Sequence, residues 1–133
     1  MSKIDEVKKK LKKNIDELID TISKYLRDFF NSRNMRYIDW EWSTYGTISD
    51  FWLIIIAEDK EAKVHRYKFG FRQPEVEEIE GFIEGYGLTL DDLEKDPELA
   101  DLVWHVLILE RIADFVSEDL WQFEDISGFE SKW

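Results

Sequence analysis

Residues 35–72 have the sequence MRYIDWEWSTYGTISDFWLIIIAEDKEAKVHRYKFGFR, and this stretch decides the fold of the chain. It is rich in aromatic and β-branched residues, and its apolar side chains recur mainly at every second position. That period is typical of β-strands, whose side chains point alternately to opposite faces. We predict three strands in an antiparallel meander, with turns near Gly46 and at residues 58–61.

The central predicted strand, residues 48–58, is apolar on both faces, so both of its faces must be covered. The first strand is predicted to place three apolar residues on a common face: Ile38, Trp40 and Trp42. The third strand is predicted to place His65, Tyr67, Phe69 and Phe71 on one face, and Val64, Arg66, Lys68 and Arg72 on the other. From the two-sided central strand we expect helices on both faces of the sheet, or a homodimer.

Helical patterns precede and follow the strands. Apolar residues spaced three and four apart predict a helix from Ser2 to about Phe30. We predict a short helix that begins at Pro74, then one more helical turn. A long last helix is predicted to start at Asp96, whose carboxylate can cap it, and to run to about Asp125.

The predicted fold class is α+β, with residues 1–133 in a single domain. Its parts are a long N-terminal helix, a three-stranded antiparallel meander, a short helix or helices, and a long C-terminal helix packed on the sheet. Residues 126–133 are predicted to form a loosely ordered aromatic and acidic tail. A content of 44% hydrophobic and 15% aromatic residues favours a folded chain over a disordered one.

The chain has no cysteine, which excludes disulfides and thiolate metal ligands. Together with the lack of an apolar leader, this predicts a cytoplasmic location, in a host cell if the protein is viral. The longest apolar run, residues 51–57, is far below the roughly 20 residues that span a bilayer. We therefore expect no membrane partner.

Charge is distributed very unevenly along the chain. Residues 73–133 contain 18 Asp and Glu against Lys95, Arg111 and Lys132, a net charge of −15. Residues 1–36 contain ten Lys and Arg against six acids, and the whole chain carries −12. Such a field favours a partner with a basic surface and disfavours direct binding of nucleic acid.

Several of the C-terminal acids are spaced three or four apart on predicted helices, where neighbouring Cβ atoms lie about 5–6 Å apart. This is close to the spacing of phosphates along a nucleic acid strand, so a ridge of carboxylates could mimic nucleic acid. Aromatic residues near the C-terminus could anchor the contact. The predicted partner-binding residues are Glu80, Glu84, Glu98, Asp101, Asp114, Glu118, Asp119, Trp121, Asp125, Phe129 and Trp133.

Two alternatives weaken this interpretation. The acids could form an ordinary solvated face, or they could be neutralised by the lysines of residues 8–13, within one chain or between two copies. Trp121 and the aromatic residues that follow could equally fold back on their own domain.

Motifs for catalysis are weak. Glu61-Ala62-Lys63 after the upstream Asp50 resembles the core of restriction-endonuclease-type nucleases, but a hairpin would place Asp50 and Glu61 at opposite ends, roughly 30 Å apart. His65 and His105 have no second ligand at metal-binding spacing. No catalytic residue, metal or cofactor is predicted.

The overall character, small, acidic, aromatic and free of Cys, resembles phage and archaeal-virus anti-defence proteins and bacterial immunity proteins or antitoxins. That resemblance implies a non-enzymatic inhibitor, for example of the anti-CRISPR or anti-restriction type, that neutralises a basic, nucleic-acid-handling protein. One alternative is a homodimeric structural or adaptor domain. Another is an unrecognised metal-dependent hydrolase or nuclease.

Overall fold

A computed structural model describes residues 2–43 and 50–127 of the chain. The helices are α1 (Lys3–Asn31), α2 (Val76–Glu84), α3 (Leu90–Lys95) and α4 (Pro97–Asp114), and the strands are β1 (Arg36–Ser43), β2 (Asp50–Glu58) and β3 (Val64–Arg72). A π-helical segment, Phe115–Asp119, and a 3₁₀ turn, Leu120–Gln122, follow α4. This is the predicted α+β order. The turn predicted near Gly46 lies outside the described residues.

The chain divides into two compact units, each made of two segments. The first unit contains Met1–Asp20 and Pro74–Arg111, and the second contains Thr21–Gln73 and Ile112–Trp133. Both α1 and α4 therefore contribute residues to each unit.

Both ends of α1 lie where the sequence predicts them. The hydroxyl of Ser2 accepts a hydrogen bond from the Asp5 amide at 3.2 Å and caps the first turn. At the other end, the Met35 amide donates to the Phe30 carbonyl at 2.9 Å, and Asn34 adopts a φ of 58°. A left-handed residue after the last turn is a common way to stop a helix.

The first unit has an apolar core formed by α1, α2 and α4 and the connection after α2. Its buried members are Val7, Leu11, Ile83, Leu88, Leu99, Val103, Val106 and Leu107. As predicted, Asp96 caps α4, and its carboxylate accepts the Leu99 amide at 3.2 Å. The short helix α2 begins at Val76, two residues later than the predicted start at Pro74, and Glu75 occupies its cap.

The sheet of the second unit has the order β1-β2-β3, with both pairs antiparallel. A β-bulge lies between Tyr37 and Asp39, so that Tyr37 pairs with Ala57 and Asp39 pairs with Ile56. The prediction for Ile38 is therefore wrong. The extra residue shifts the alternation, Tyr37 takes the place beside Trp40 and Trp42, and Ile38 is 39% exposed.

One face of the sheet is buried beneath the second half of α1 and the segment after α4. The Phe30 ring stacks on Tyr67 with centroids 5.6 Å apart, and Phe69 lies 4.9 Å from Phe115. The fully buried residues here include Ile22, Leu26, Phe29, Phe30, Phe51, Leu53, Ile55 and Ala57. Packing of the C-terminal helical region on the sheet is thus confirmed.

The second face of β2 carries Trp52, Ile54 and Ile56, which are half-buried or buried. The expectation of helices on both faces, or of a homodimer, stays a prediction for this face. The contacts described here come from β1 and β3, and Arg36 of β1 pairs with Glu58 at 3.3 Å. The Lys68 ammonium lies 4.3 Å from the centroid of the Trp52 ring, and a Cβ atom built on Gly70 would lie 2.7 Å from that ring.

The last helix was predicted to run as one α-helix to about Asp125, and this prediction is wrong. Its α-helical hydrogen bonds end at Asp114, the Leu120 amide then donates to the Phe115 carbonyl five residues earlier, and the helical region ends at Gln122. This wider turn is a π-helix. Within the described residues, no helix is long and apolar enough to cross a lipid bilayer.

Candidate functional site

An open groove lies in the first unit, where α2 ends and α3 begins. Its volume is about 470 Å³. Its lining residues are Glu80, Ile83, Glu84, Leu88, Thr89, Leu90 and Asp91. Two of the predicted binding residues, Glu80 and Glu84, therefore line the same groove.

The backbone after α2 forms the apolar floor of this groove. The Leu88 amide donates to the Ile83 carbonyl at 3.0 Å, and the Gly87 amide donates to the Glu84 carbonyl at 2.9 Å. This pair of bonds is a Schellman motif, and Gly87 supplies its left-handed residue with a φ of 72°. Ile83 and Leu88 are 1% and 7% exposed, so the residues on either side of the motif form part of the buried core.

The start of α3 forms the other side of the groove. Both the amide and the hydroxyl of Thr89 donate to the Asp92 carboxylate, at 2.8 and 3.2 Å. This capping interaction fixes Thr89 as the residue before the first turn of α3. Asp91 is left exposed at the groove, facing solvent with its charge.

The chemistry of the groove suits a cation with an aliphatic stem. Glu80 and Glu84 are one helical turn apart on α2, and Asp91 adds a third carboxylate from α3. Lys and Arg side chains combine an apolar stem with a charged head. The stem could lie over Ile83 and Leu88 while the head approaches the carboxylates.

Most of the negative charge belongs to the unit that contains the groove. The first unit has 17 Asp and Glu against eight Lys and Arg, a net charge of −9. The second unit has 13 against ten, a net charge of −3. Even with every base of the first unit neutralised by one acid, nine carboxylates of that unit would keep their charge.

The N-terminal lysines neutralise part of this charge within the chain. Lys8 pairs with Asp96 at 2.7 Å, and Lys12 pairs with Glu98 at 3.3 Å. The hydrogen bond from Lys8 lowers the pKa of Asp96, and the bond to Asp96 raises the pKa of Lys8. Of the two alternatives for these lysines, the structure thus contains pairing within one chain.

The predicted binding residues do not all belong to one unit. Four are in the first unit: Glu80, Glu84, Glu98 and Asp101. Five are in the second unit: Asp114, Glu118, Asp119, Trp121 and Asp125. All nine are exposed. Phe129 and Trp133 lie outside the described residues.

Two of the predicted acids have a different local geometry from the one assumed. Asp114 ends α4 and Glu118 lies in the π-helical segment, so the α-helical spacing predicted for this pair does not apply. Glu98 differs as well, because its carboxylate is paired with Lys12. Glu80 and Glu84 keep the predicted spacing.

Trp121 has a structural role in the second unit. Its ring meets Phe29 edge to face with centroids 5.3 Å apart, and it is 38% exposed. The guanidinium of Arg33 lies 3.7 Å from the Phe29 centroid and donates to the Phe123 carbonyl at 2.6 Å. These contacts attach the end of the helical region to α1. A role for Trp121 as a partner anchor stays a prediction.

The residues considered for catalysis are separated by the hairpin. Asp50 pairs with Arg72 at one end of β2, whereas Glu61 lies in the turn beyond Glu58 at the other end. The Nε2 atom of His65 donates to the Asp59 carboxylate at 2.8 Å, and this hydrogen bond lowers the pKa of Asp59. In residues 2–43 and 50–127, no three His, Asp or Glu side chains are grouped so that they could hold a metal ion.

Sequence reasoning missed Asp91 as part of the groove. Its position depends on the Schellman motif and on the cap of α3, and both were visible only as a Gly-rich segment followed by Thr89. A carboxylate directly after such a connection is the signal that could have indicated it.

No protein-family model, curated protein or solved structure gives a significant match to this chain.

Proposed function

We propose that this chain is an acidic binding protein that inhibits a basic, nucleic-acid-handling protein by occupying its basic surface. The groove of the first unit would receive a Lys or Arg side chain of the partner. The surrounding carboxylates would supply the field that brings the two proteins together. The protein would act in the cytoplasm, and in the cytoplasm of the host cell if it is viral.

The observation that carries the proposal is the combination of three carboxylates with a buried apolar floor in a unit of net charge −9. Charge of one sign accelerates encounter with an oppositely charged surface, by as much as 10–10³-fold. Steering alone does not give a lasting complex. The apolar floor supports a defined contact because it can bury the stem of a long basic side chain.

Inhibition follows from competition for the same surface. A protein that handles nucleic acid binds phosphates with Lys and Arg, and those side chains are the ones that the groove would accept. Glu80 and Glu84 lie one helical turn apart, at a spacing similar to that of neighbouring phosphates. The acids of the second unit would add to the attraction.

Affinity capture with two charge-reversed variants tests the proposal. The groove variant is Glu80→Lys with Glu84→Lys. The control variant is Glu17→Lys with Asp20→Lys, which alters two exposed acids of α1 in the same unit and changes the net charge by the same amount. Each protein is immobilised and incubated with the same cell lysate at low salt.

The wild-type protein should capture a basic protein that elutes with added salt and is displaced by double-stranded DNA, because the two ligands compete. The control variant should keep most of this binding and the groove variant should lose it. The nucleic-acid binding of the captured protein should fall when the wild-type chain is added. Equal capture by the two variants, or capture that DNA does not displace, would contradict the proposal.

A further inference from the structure

The second face of the sheet has an ordered arrangement of charge that the acidic groove does not explain. The register of the strands places side chains on this face in rows that run across β1, β2 and β3. One row is Asp39, Ile56 and Arg66, and the next is Glu41, Ile54 and Lys68. Each of these two rows is acidic on β1, apolar on β2 and basic on β3, whereas the row beside them, Arg36, Glu58 and Val64, contains an ion pair within the chain between Arg36 and Glu58 at 3.3 Å.

These rows are accessible at their ends. Asp39, Glu41 and Arg66 are exposed, and Lys68 and Ile56 are half-buried. Ile54 is 5% exposed, and it lies between the two charged columns. At these two rows the face thus has a negative edge on β1 and a positive edge on β3, with Ile56 as the accessible apolar residue between them.

These two rows are complementary to the same rows of a second copy in one orientation. A two-fold axis parallel to β2 places β1 of one copy over β3 of the other and keeps every row at its own level. Asp39 then faces Arg66 of the second copy, and Glu41 faces Lys68. A two-fold axis perpendicular to the strands would place acids over acids, which is unfavourable.

We propose that this sheet face is a homodimer interface in which two copies pack face to face about an axis parallel to β2. Ile56 of one copy meets Ile56 of the other near the axis, and four charged pairs flank this contact. Sheets that pack face to face lie about 10 Å apart with strands rotated by about 30°. Because the strands of the two copies then cross, the charges pair best in the two rows closest to the point of crossing.

The size of the face predicts a weak dimer. Three strands about 4.8 Å apart, with nine residues in β2 at about 3.3 Å each, give a face of roughly 400 Å² per copy. The total is below the roughly 1,200 Å² of standard stable interfaces. The monomer and dimer should therefore exchange, and the dimer should weaken with salt because exposed charges contribute.

Sedimentation equilibrium of the full chain with complementary charge variants tests this proposal. The basic variant is Asp39→Lys with Glu41→Lys, and the acidic variant is Arg66→Glu with Lys68→Glu. Each variant alone has rows with one sign of charge, so each should be monomeric at concentrations where the wild-type protein dimerises. An equimolar mixture of the two should form a heterodimer, because both altered rows of one then meet the opposite charge.

Circular dichroism establishes that each variant is folded before sedimentation. The proposal is overturned if the wild-type protein stays monomeric at high concentration and low salt, if the single-sign variants dimerise like the wild-type protein, or if two folded variants do not associate when mixed.

A cross-linking experiment keeps the proposal testable if a charge variant does not fold. The chain has no Cys, so a single Ile56→Cys change places one thiol beside the proposed axis. A short bis-maleimide should link two such copies. Val64→Cys, an exposed position at the end of β3, is the control, because its own counterpart lies across the width of the face. Equal cross-linking at the two positions would overturn the proposed axis.

Discussion

The Nζ atom of Lys3 donates a hydrogen bond to the carbonyl oxygen of Gly87, 3.1 Å away and 84 residues along the chain. This bond holds the beginning of α1 against the motif that forms the floor of the groove. Gly87 is the left-handed residue of that motif, and a Cβ atom there would collide with the end of the Lys3 side chain. Glycine is therefore required at this position by both its backbone conformation and its surroundings.

Gly87→Ala should lower the free energy of unfolding by about 1–2 kcal/mol, because an L-residue is strained in the left-handed region. The Lys3 side chain can move aside, so the backbone supplies most of this effect. Urea denaturation measures it. The matched control is Gly81→Ala inside α2, where a Cβ atom meets nothing within 4 Å. That change should stabilise the protein by about 0.5–1 kcal/mol, because Ala favours the helix. Equal signs for the two changes would be inconsistent with this account of the motif.

The ion pair of Lys8 and Asp96 should make stability depend on pH in a defined direction. Asp96 has a lowered pKa in the folded state, so its contribution is present above the ordinary pKa of an aspartate and is lost as the pH falls through the lowered value. Lys8 has a raised pKa, so its contribution is present below the ordinary pKa of a lysine and is lost at higher pH. Asp96→Asn should thus destabilise the protein at neutral pH and make little difference in strong acid.

Urea denaturation of the wild-type protein, the Asp96→Asn and Lys8→Gln variants and the double variant, from strong acid to neutral pH, measures the coupling energy between the two side chains. The two changes should be less than additive at neutral pH and additive in acid, because the interaction is then absent. Coupling that is independent of pH would show that the two residues do not interact through their charges.

The hydrophobic period predicted much of the fold because it is a local property. The stripe on α1 and the alternation in β2 follow directly from burial of one face or both faces. The bulge at Ile38 was not predictable in this way, since it is a choice of hydrogen-bond register and leaves the composition unchanged. The π-helical segment after Asp114 was also missed, because its apolar spacing is compatible with an ordinary α-helix.

Part of the site followed from the sequence for a similar reason. Glu80 and Glu84 could be grouped from their helical spacing, whereas Asp91 is brought beside them by a turn. Pairing of Glu98 with Lys12 joins distant parts of the chain, and spacing carries no information about such contacts. Local patterns therefore located one side of the groove and not the other.

Gly70→Ala should destabilise the protein, because the new Cβ atom would lie 2.7 Å from the Trp52 ring. Overpacking of this kind costs about 1–3 kcal/mol. Thermal unfolding and tryptophan fluorescence measure the loss and the movement of the ring. In a Trp52→Leu background the same change should cost much less, because the ring that it meets is absent. An equal cost in both backgrounds would mean that Gly70 is required for another reason.

Arg33→Met should loosen the end of the helical region. It removes the hydrogen bond to the Phe123 carbonyl and the contact of the guanidinium with the Phe29 ring. Hydrogen bonds to charged groups contribute about 1.5–3 kcal/mol, so a loss of about 2 kcal/mol is expected. Hydrogen exchange should accelerate at residues 120–126. The control is Arg27→Met, an exposed position on α1, which should leave this exchange unchanged.

The most direct test of the acidic groove is a titration of the ¹⁵N-labelled chain with a short amphipathic helical peptide composed of Lys and Leu, followed by amide chemical shifts. We expect saturable shifts at Glu80, Ile83, Glu84, Leu88 and Asp91, with weaker binding at higher salt. The Glu80→Lys, Glu84→Lys variant should lose these shifts, and the Glu17→Lys, Asp20→Lys variant should keep them. Small shifts spread over all the acidic residues, without saturation at the groove, would show that the groove is not a defined binding site for basic side chains.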